Sequence, residues 1–546
     1  MDGPSSIFST LWSILRHLFL LVWVEPWAKP HINGDTAPAT YEDWYTGQFE
    51  YDAIHGIDEW VKVDRHRSYD WQILRTLKRD LERSRRMGDE RGLCSQLRAQ
   101  SSRNMCRILS PALYRKSKIQ TKRLIHDYVM EVRHCITYIA DRNAVTNGAG
   151  AGPIVPAQEK RQAIIDMRTA LGRTSLVLQG GAMISMSHLG VVKALYLQRL
   201  LPRIITGTSS GALIAAHVCV TKDEDLIGVL EATKINLDAF LRSRERRATG
   251  GLKSWFNSSF FATIKRRYQR YRKSHHVFDI DVLHECTRDN LGDITFEEAY
   301  AKTGRILNIT IAMSEVVGTP QLLNYLTAPH VLVRSAVVAS IATSKAMYAP
   351  VHLLCKSASG DITLYFAADF SEKGCNLHRI ATVHPEAPLT RIGELFNVNH
   401  FIVSQSRPYV APFIQLQSFA DRHQPLGILV RFVLDEMLHW LQVMNHFGML
   451  PTILQRVLMD EVVPTLASWS KVSITPQLGL WDFLSIFDTP TPAKLQKWSA
   501  RGEKCTWPYI CELKVRCDIE LELDVAYTNL RRRGGMGSVI RHRADP

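Results

Sequence analysis

The sequence predicts an α/β fold framed by helical regions at both ends, and three observations carry that expectation. Two short apolar runs, Leu176-Val177-Leu178 and Ile204-Ile205-Thr206, each break at small residues and pass into helical spacing, as strand–loop–helix units with parallel strands do. Upstream, Trp71, Leu74, Leu77 and Leu81, then Ile125, Val129, Val132 and Ile136, recur at helical spacing among Arg, Lys and Asp. Downstream, Val430, Val433, Met437, Trp440, Leu441 and Met444 share a helix face that ends at Gly448, ahead of Pro451. A chain of 546 residues, 46% of them apolar, exceeds one domain and fills a large core.

Taken in order, the chain opens with an apolar stretch, Ile7 to Val24, with Trp12, Trp23 and Trp27 near its ends. It is about long enough to span a bilayer. Arg16 and His17 sit in its middle, where a cation costs on the order of 3 kcal/mol on insertion. Membrane attachment is expected, either as a single span or as an interfacial helix with Ser9, Ser13 and Arg16 on its polar face. A removed signal peptide is not expected, since no small-residue cleavage site follows. Residues 29–155 then read as a helical region closed by a flexible link, Asn147-Gly148-Ala149-Gly150-Ala151-Gly152-Pro153.

The first strand–loop–helix unit ends its strand at Gln179-Gly180-Gly181-Ala182, and helical spacing follows from Met183 to Leu200 through Met186, Leu189, Val192 and Leu195. A glycine turn opening a helix presents backbone N–H groups, with the positive end of the helix dipole, to a developing negative charge. The second unit reads Gly207-Thr208-Ser209-Ser210-Gly211, a G-x-S-x-G elbow that lifts the central serine out of the backbone at the mouth of the sheet. A lone elbow is also consistent with a packing turn. The glycine loop about thirty residues upstream favours acyl transfer, with Ser209 as nucleophile and the N–H groups of Gly180, Gly181, Ala182 and Ser210 as oxyanion donors.

Gln179 to Leu195 and Gly207 to Gly211 resemble the oxyanion loop and nucleophile elbow of the patatin-like phospholipases, in particular the fungal and plant triacylglycerol-lipase branch. Ala328 to Ser340, Leu395 to Gln405, Pro490 to Pro492 and Arg501 to Pro508 resemble further segments of that branch. The resemblance implies a three-layer α/β hydrolase core and a Ser–Asp dyad without histidine. It places the base at Asp369, after a strand-like run from Thr363 to Ala368. Ser185 stands where the loop usually has glycine and is expected to cap the next helix, and Phe370 replaces the glycine after the aspartate. The implied organisation is an apolar segment at 1–28, the helical region at 29–155, a catalytic domain at 172–375, and strand completion with a helical, basic-tailed region at 376–546. The implied activity is hydrolysis of acyl esters of glycerolipids, triacylglycerol or phospholipid, at a membrane or lipid-droplet surface. Phe370 keeps open a catalytically weak scaffold that binds lipid surfaces. His284 and Asp289 form an H-x4-D pair, the spacing of glycerolipid acyltransferases that some branch members carry, so a side acyltransferase activity is a further alternative.

A formal charge of +14 calls for an anionic partner or surface. Basic clusters at Arg242–Arg247 and Lys265–Lys273, interleaved with aromatics such as Trp255 and Tyr268, fit docking on anionic headgroups or a solvated helix face. No nucleic-acid module accompanies them, and no nucleic-acid partner is expected. Ten cysteines without C-x-x-C pairs argue against a zinc site or a disulfide framework. No metal, calcium or organic cofactor is expected. His188 and His217 lie near the two loops but on helix faces, where packed or solvated histidines are commoner than bases.

Overall fold

A computed structural model describes residues 38–141, 155–240, 275–311, 321–342, 348–349, 351–365, 387–407, 426–448, 471–476 and 490–541, with a few isolated positions between. The apolar run Ile7–Val24, the glycine link, most of the two basic clusters, Phe370 and Asp369 lie outside these residues. Among the described residues no helix is long and apolar enough to cross a membrane.

The N-terminal layer is helical, as the stripes predict. Helix α1 (Tyr41–Ile54) opens on a capping box: Thr40 Oγ1 accepts from Asp43 N–H, and the Asp43 carboxylate accepts from Thr40 N–H. After α2 (Ile57–Lys62), α3 (Trp71–Met87) buries Leu74 and Leu81, and α4 (Glu90–Ala99) is capped by Asp89. In α5 (Arg123–Asp141), Ile125, Val129, Val132 and Ile136 are all buried. Helix α6 (Ala157–Leu171) then leads into the sheet.

The sheet has six strands in the order β4-β3-β2-β1-β7-β8. Strands β1 (Arg173–Gln179), β2 (Ile204–Thr208), β3 (Ile306–Ile311), β7 (Val398–Gln405) and β8 (Lys471–Ile474) run parallel, and β4 (Gln321–Leu323) is antiparallel to β3. The period of two along each strand sends Ile205 and Leu307 to one face and their neighbours Ile204 and Ile306 to the other. The first face is covered by α7 (Ser187–Leu197), α8 (Ser210–Val220), α9 (Asp223–Leu230), α11 (Phe296–Thr303), α12 (Val333–Ile341) and α15 (Pro492–Thr506), with α10 (Ile280–Leu291) packed beside α12. On the second face α13 (Ala387–Phe396) places Ile392 and Phe396 against Ile204, Ile306 and Val398. The result is the expected three-layer α/β core.

Four details differ from the sequence expectation. The loop after β1 does not open directly into α-helix: residues Ala182–Met186 form a 3-10 turn, and α7 begins only at Ser187. Ser185 therefore caps nothing, and its hydroxyl bonds back to the Ala182 carbonyl at 2.5 Å inside that turn. The strand read from Thr363 onward is described only as β6 (Ile362–Leu364), which pairs antiparallel with β5 (Leu354–Lys356) in a separate two-stranded sheet. In α14 (Leu426–His446) Met437 is buried as its stripe predicts, but Trp440 is exposed and its indole donates to Glu436 one turn back.

The last helix, α16 (Ile510–Arg541), crosses the expected division of the chain. Its Val515, Leu523 and Ala526 share one buried core with Leu74, Ile125 and Met167 of the N-terminal layer. Its acidic residues meet arginines from that layer: Glu520 with Arg103, Glu522 with Arg133, and Asp524 with Arg168. The first and last segments of the chain thus form one packed unit against the sheet.

Candidate active site

The elbow sits at the carboxyl end of β2, in the middle of the sheet. Ser209 links β2 to α8 with φ 55° and ψ −131°, a backbone conformation that L-residues adopt at a cost of about 1–3 kcal/mol. Such strain persists only where surrounding contacts hold it. Here the Ser209 N–H donates to Ser340 Oγ on α12 at 2.9 Å, and that hydroxyl donates onward to the Thr310 carbonyl of β3 at 2.8 Å. On the other side, the Ser209 carbonyl accepts from Ala212 N–H at 2.9 Å and starts the first turn of α8. Ser209 thereby stands at the amino end of a helix, where the dipole favours negative charge.

The glycine loop lies directly against this elbow. A Cβ on Gly211 would stand 2.2 Å from the Leu178 carbonyl, and one on Gly180 would stand 2.3 Å from the Gly211 nitrogen. Only glycine permits that approach. The Gly180 N–H is committed to the Thr208 carbonyl at 3.2 Å, which removes it from the expected oxyanion set. Gly181 and Ala182 follow, the latter with φ 49°, so the chain turns sharply beside the nucleophile. The loop's three glycine and alanine positions, Ser210 and the two elbow glycines, Gly207 and Gly211, are thus gathered at the carboxyl ends of the central strands. The Ser210 hydroxyl is buried there without a hydrogen-bond partner among the described residues.

Both nearby histidines are buried, and the ring nitrogens of His188 are engaged by other residues. His188 is wholly buried in α7; Nε2 donates to the Gln179 carbonyl at 3.2 Å, which leaves Nδ1 to accept from Ser404 Oγ at 2.7 Å. Ser406 N–H reaches the same carbonyl at 3.0 Å, so this neutral imidazole ties α7 to the ends of β1 and β7. Burial holds its pKa down at about 3. His217, buried in α8, is likewise pushed down to about 4 by burial. Asp369 lies outside the described residues, as does Phe370 beside it.

The H-x4-D pair is not assembled. His284 and Asp289 both lie in α10, five positions and so about 140° apart around its axis, and they cannot face one another. Burial lowers the His284 pKa, with Arg334 next in effect. Among the described residues no cluster of His, Cys, Asp or Glu is arranged to hold a metal ion.

Sequence reasoning missed Ser340 as the anchor of the elbow, although it falls in the run of small residues Ser335–Ser340. It also missed the His188–Ser404–Ser406 tie, whose histidine lies more than two hundred positions from its two serines.

The description "Patatin-like phospholipase" matches residues 176–364, and "Domain of unknown function (DUF3336)" matches residues 35–169. Triacylglycerol lipase ptl1 of Schizosaccharomyces pombe is 30% identical over 492 residues, covering 90% of this chain and 84% of the relative. Triacylglycerol lipase ptl3 of the same yeast is 29% identical, with 91% and 96% covered. Triacylglycerol lipase SDP1L of Arabidopsis thaliana is 31% identical over 90% of this chain, which spans 58% of that longer protein. Among solved structures, the type III effector protein ExoU matches at 14% identity, covering 67% of this chain and 63% of that one, with a TM-score of 0.26.

Proposed function

We propose, from the premise that this chain belongs to the patatin-like phospholipase family, that it is a serine hydrolase cleaving acyl esters of glycerolipids. The observation that carries the reading is Ser209 itself: a non-glycine residue held at positive φ between β2 and α8, facing a glycine loop. Relatives named triacylglycerol lipase support a neutral-lipid substrate, and the family description supports phospholipid as well.

In the proposed mechanism the Ser209 hydroxyl attacks the ester carbonyl and its proton passes to Asp369, the position that resembles the family's aspartate. The backbone N–H groups of Gly181, Ala182 and Ser210 hold the oxyanion. Collapse of the tetrahedral intermediate expels the alcohol, which takes the proton, and water then releases the acyl group from Ser209. A carboxylate base is supported by His188, whose ring nitrogens are already engaged by Gln179, Ser404 and Ser406. The reaction takes place at a membrane or lipid-droplet surface, to which the apolar N-terminal run attaches the protein.

A fluorophosphonate probe and a panel of lipid classes test this reading. The wild-type protein should be labelled and should release fatty acid from glycerolipids, and Ser209→Ala should lose both with its circular dichroism unchanged. Asp369→Asn should lower turnover while lipid binding holds. Undiminished hydrolysis by Ser209→Ala would falsify the assignment.

A further inference from the structure

At the edge of the sheet opposite the elbow, where β1, β2 and β3 begin, a cavity of about 80 Å³ opens between the strand ends and α16. It is large enough for several water molecules or for one phosphate group in their place. Its polar lining is unusual in sign. Arg168 of α6, Arg173 at the start of β1 and Arg203 just before β2 all reach it, against two acids, Glu520 and Asp524, both from α16.

One of those acids is already satisfied. Glu520 lies 3.1 Å from the Arg103 guanidinium and accepts from both the N–H and the hydroxyl of Thr174, at 2.8 and 2.5 Å. Among the acids lining the cavity, that leaves Asp524 to face the three guanidinium groups. Arg168 donates to it twice, at 2.9 and 2.5 Å, and its guanidinium lies over the Tyr527 ring, 4.4 Å from the centroid. Arg203 approaches its other oxygen only to 4.0 Å. Arg173 has no ion pair or side-chain hydrogen bond among the described residues. Asp524 thus divides one carboxylate between Arg168 and a more loosely held, largely exposed Arg203, and among the described residues no acid is paired with Arg173; the remaining wall includes Ile204, Ile306 and Leu521.

Like charges gathered at one cleft favour an anion between them, and arginine forks match the oxygens of a phosphate group in geometry as well as charge. We propose that this cavity binds a phosphate group, with Arg173 and Arg203 as the donors left open for it and Arg168 as a fixed third charge. The ligand class is a phosphomonoester or inorganic phosphate, free in solution or carried as a lipid headgroup. Because the cavity is bounded by the sheet, α6 and α16, its ligand clamps the first and last segments of the chain onto the strand ends. The site is independent of the ester-cleaving reading, since the whole sheet separates it from Ser209.

The test follows thermal unfolding of the full chain in sodium phosphate and in sodium chloride of equal ionic strength. Phosphate should give a saturable rise in melting temperature that chloride does not, and glycerol phosphate should reproduce it. Arg173→Gln and Arg203→Gln should each weaken the apparent affinity about tenfold, and the double variant should lose the response. Arg86→Gln, on the exposed side of α3, should keep it, and circular dichroism and fluorophosphonate labelling check that every variant is folded. Flotation with phosphatidic acid vesicles, with and without soluble phosphate as competitor, separates the sources: competed binding lost in the double variant assigns the headgroup, and its absence beside a soluble response assigns the free anion. A wild-type response to phosphate no larger than to chloride, or a response unchanged in the double variant, overturns the proposal.

Discussion

Ser340→Ala is the substitution that most directly probes how the elbow is held. The Ser340 hydroxyl makes two hydrogen bonds, accepting from Ser209 N–H at 2.9 Å and donating to the Thr310 carbonyl at 2.8 Å, and the residue is wholly buried. Removing both, at a net value of roughly 0.5–1.5 kcal/mol each, costs about 1–3 kcal/mol of stability. For a cooperative unit of 150–250 residues that is on the order of 2–12 °C in melting temperature. The freed Ser209 N–H no longer opposes relaxation of the positive φ at the nucleophile. If the lost positioning appears in the transition state, fluorophosphonate labelling slows by roughly 5- to 150-fold. Ser340→Cys keeps nearly the same volume with a poor hydrogen-bonding group, so it should fall with alanine if bonding matters and stay near wild type if filling matters. Measuring the second-order labelling rate and the melting temperature of both variants decides the issue. Wild-type labelling by Ser340→Ala would show that the elbow holds itself and that the contact is incidental.

Three further outcomes are expected. His188, held at about 3 in the folded chain and returning to about 6.5 on unfolding, gives the unfolded state the extra proton below 6.5, so its contribution to stability is complete above that pH and declines as pH falls toward 3. Between pH 7 and 5 the loss is about 2 kcal/mol, and His188→Gln should flatten the fall of unfolding free energy with pH by about that amount; an unchanged slope would show that the histidine is not buried as described. Ending the chain at residue 509 should expose the N-terminal layer to protease although the deletion is hundreds of residues away in sequence, because α16 completes the core around Leu74 and Ile125; protection equal to the full chain would refute the shared core. Deleting residues 1–28 should release much of the protein from membranes at any salt concentration, and full flotation of the truncated chain in high salt would assign attachment to another surface.

What could be read in the sequence was local. The elbow at Ser209 follows from a β-branched strand ending in small residues, and the buried faces of α3 and α5 follow from spacing alone, since neither depends on a distant partner. Where geometry was settled by residues far along the chain, the same rules ran short. Thr363 and Leu364 have the composition of a strand, but period and propensity do not name a neighbour, and they pair with β5 rather than with the central sheet. The helix expected from Met183 begins four residues late because Ala182 takes a positive φ to bring the loop against α8, a demand set by the elbow thirty positions on. His284 and Asp289 have a suggestive spacing that means something only if the chain bends between them; on one continuous helix it does not.

The clearest case is α16, whose sequence alternates charge and apolar residues without showing what they are for. Glu520, Glu522 and Asp524 each meet an arginine from the N-terminal layer. Opposite charges so far apart in sequence carry no periodic signal, because the partner's spacing is fixed by where α5 and α6 pack and not by any rule within α16. The same placement explains the excess charge at the strand ends. With Glu520 drawn away by Arg103 and Thr174, the acids that join the two ends of the chain are too few to neutralise Arg168, Arg173 and Arg203 together. The packing that makes the first and last segments one unit therefore leaves an electropositive cleft at their junction, and an anion bound there would reinforce the same union.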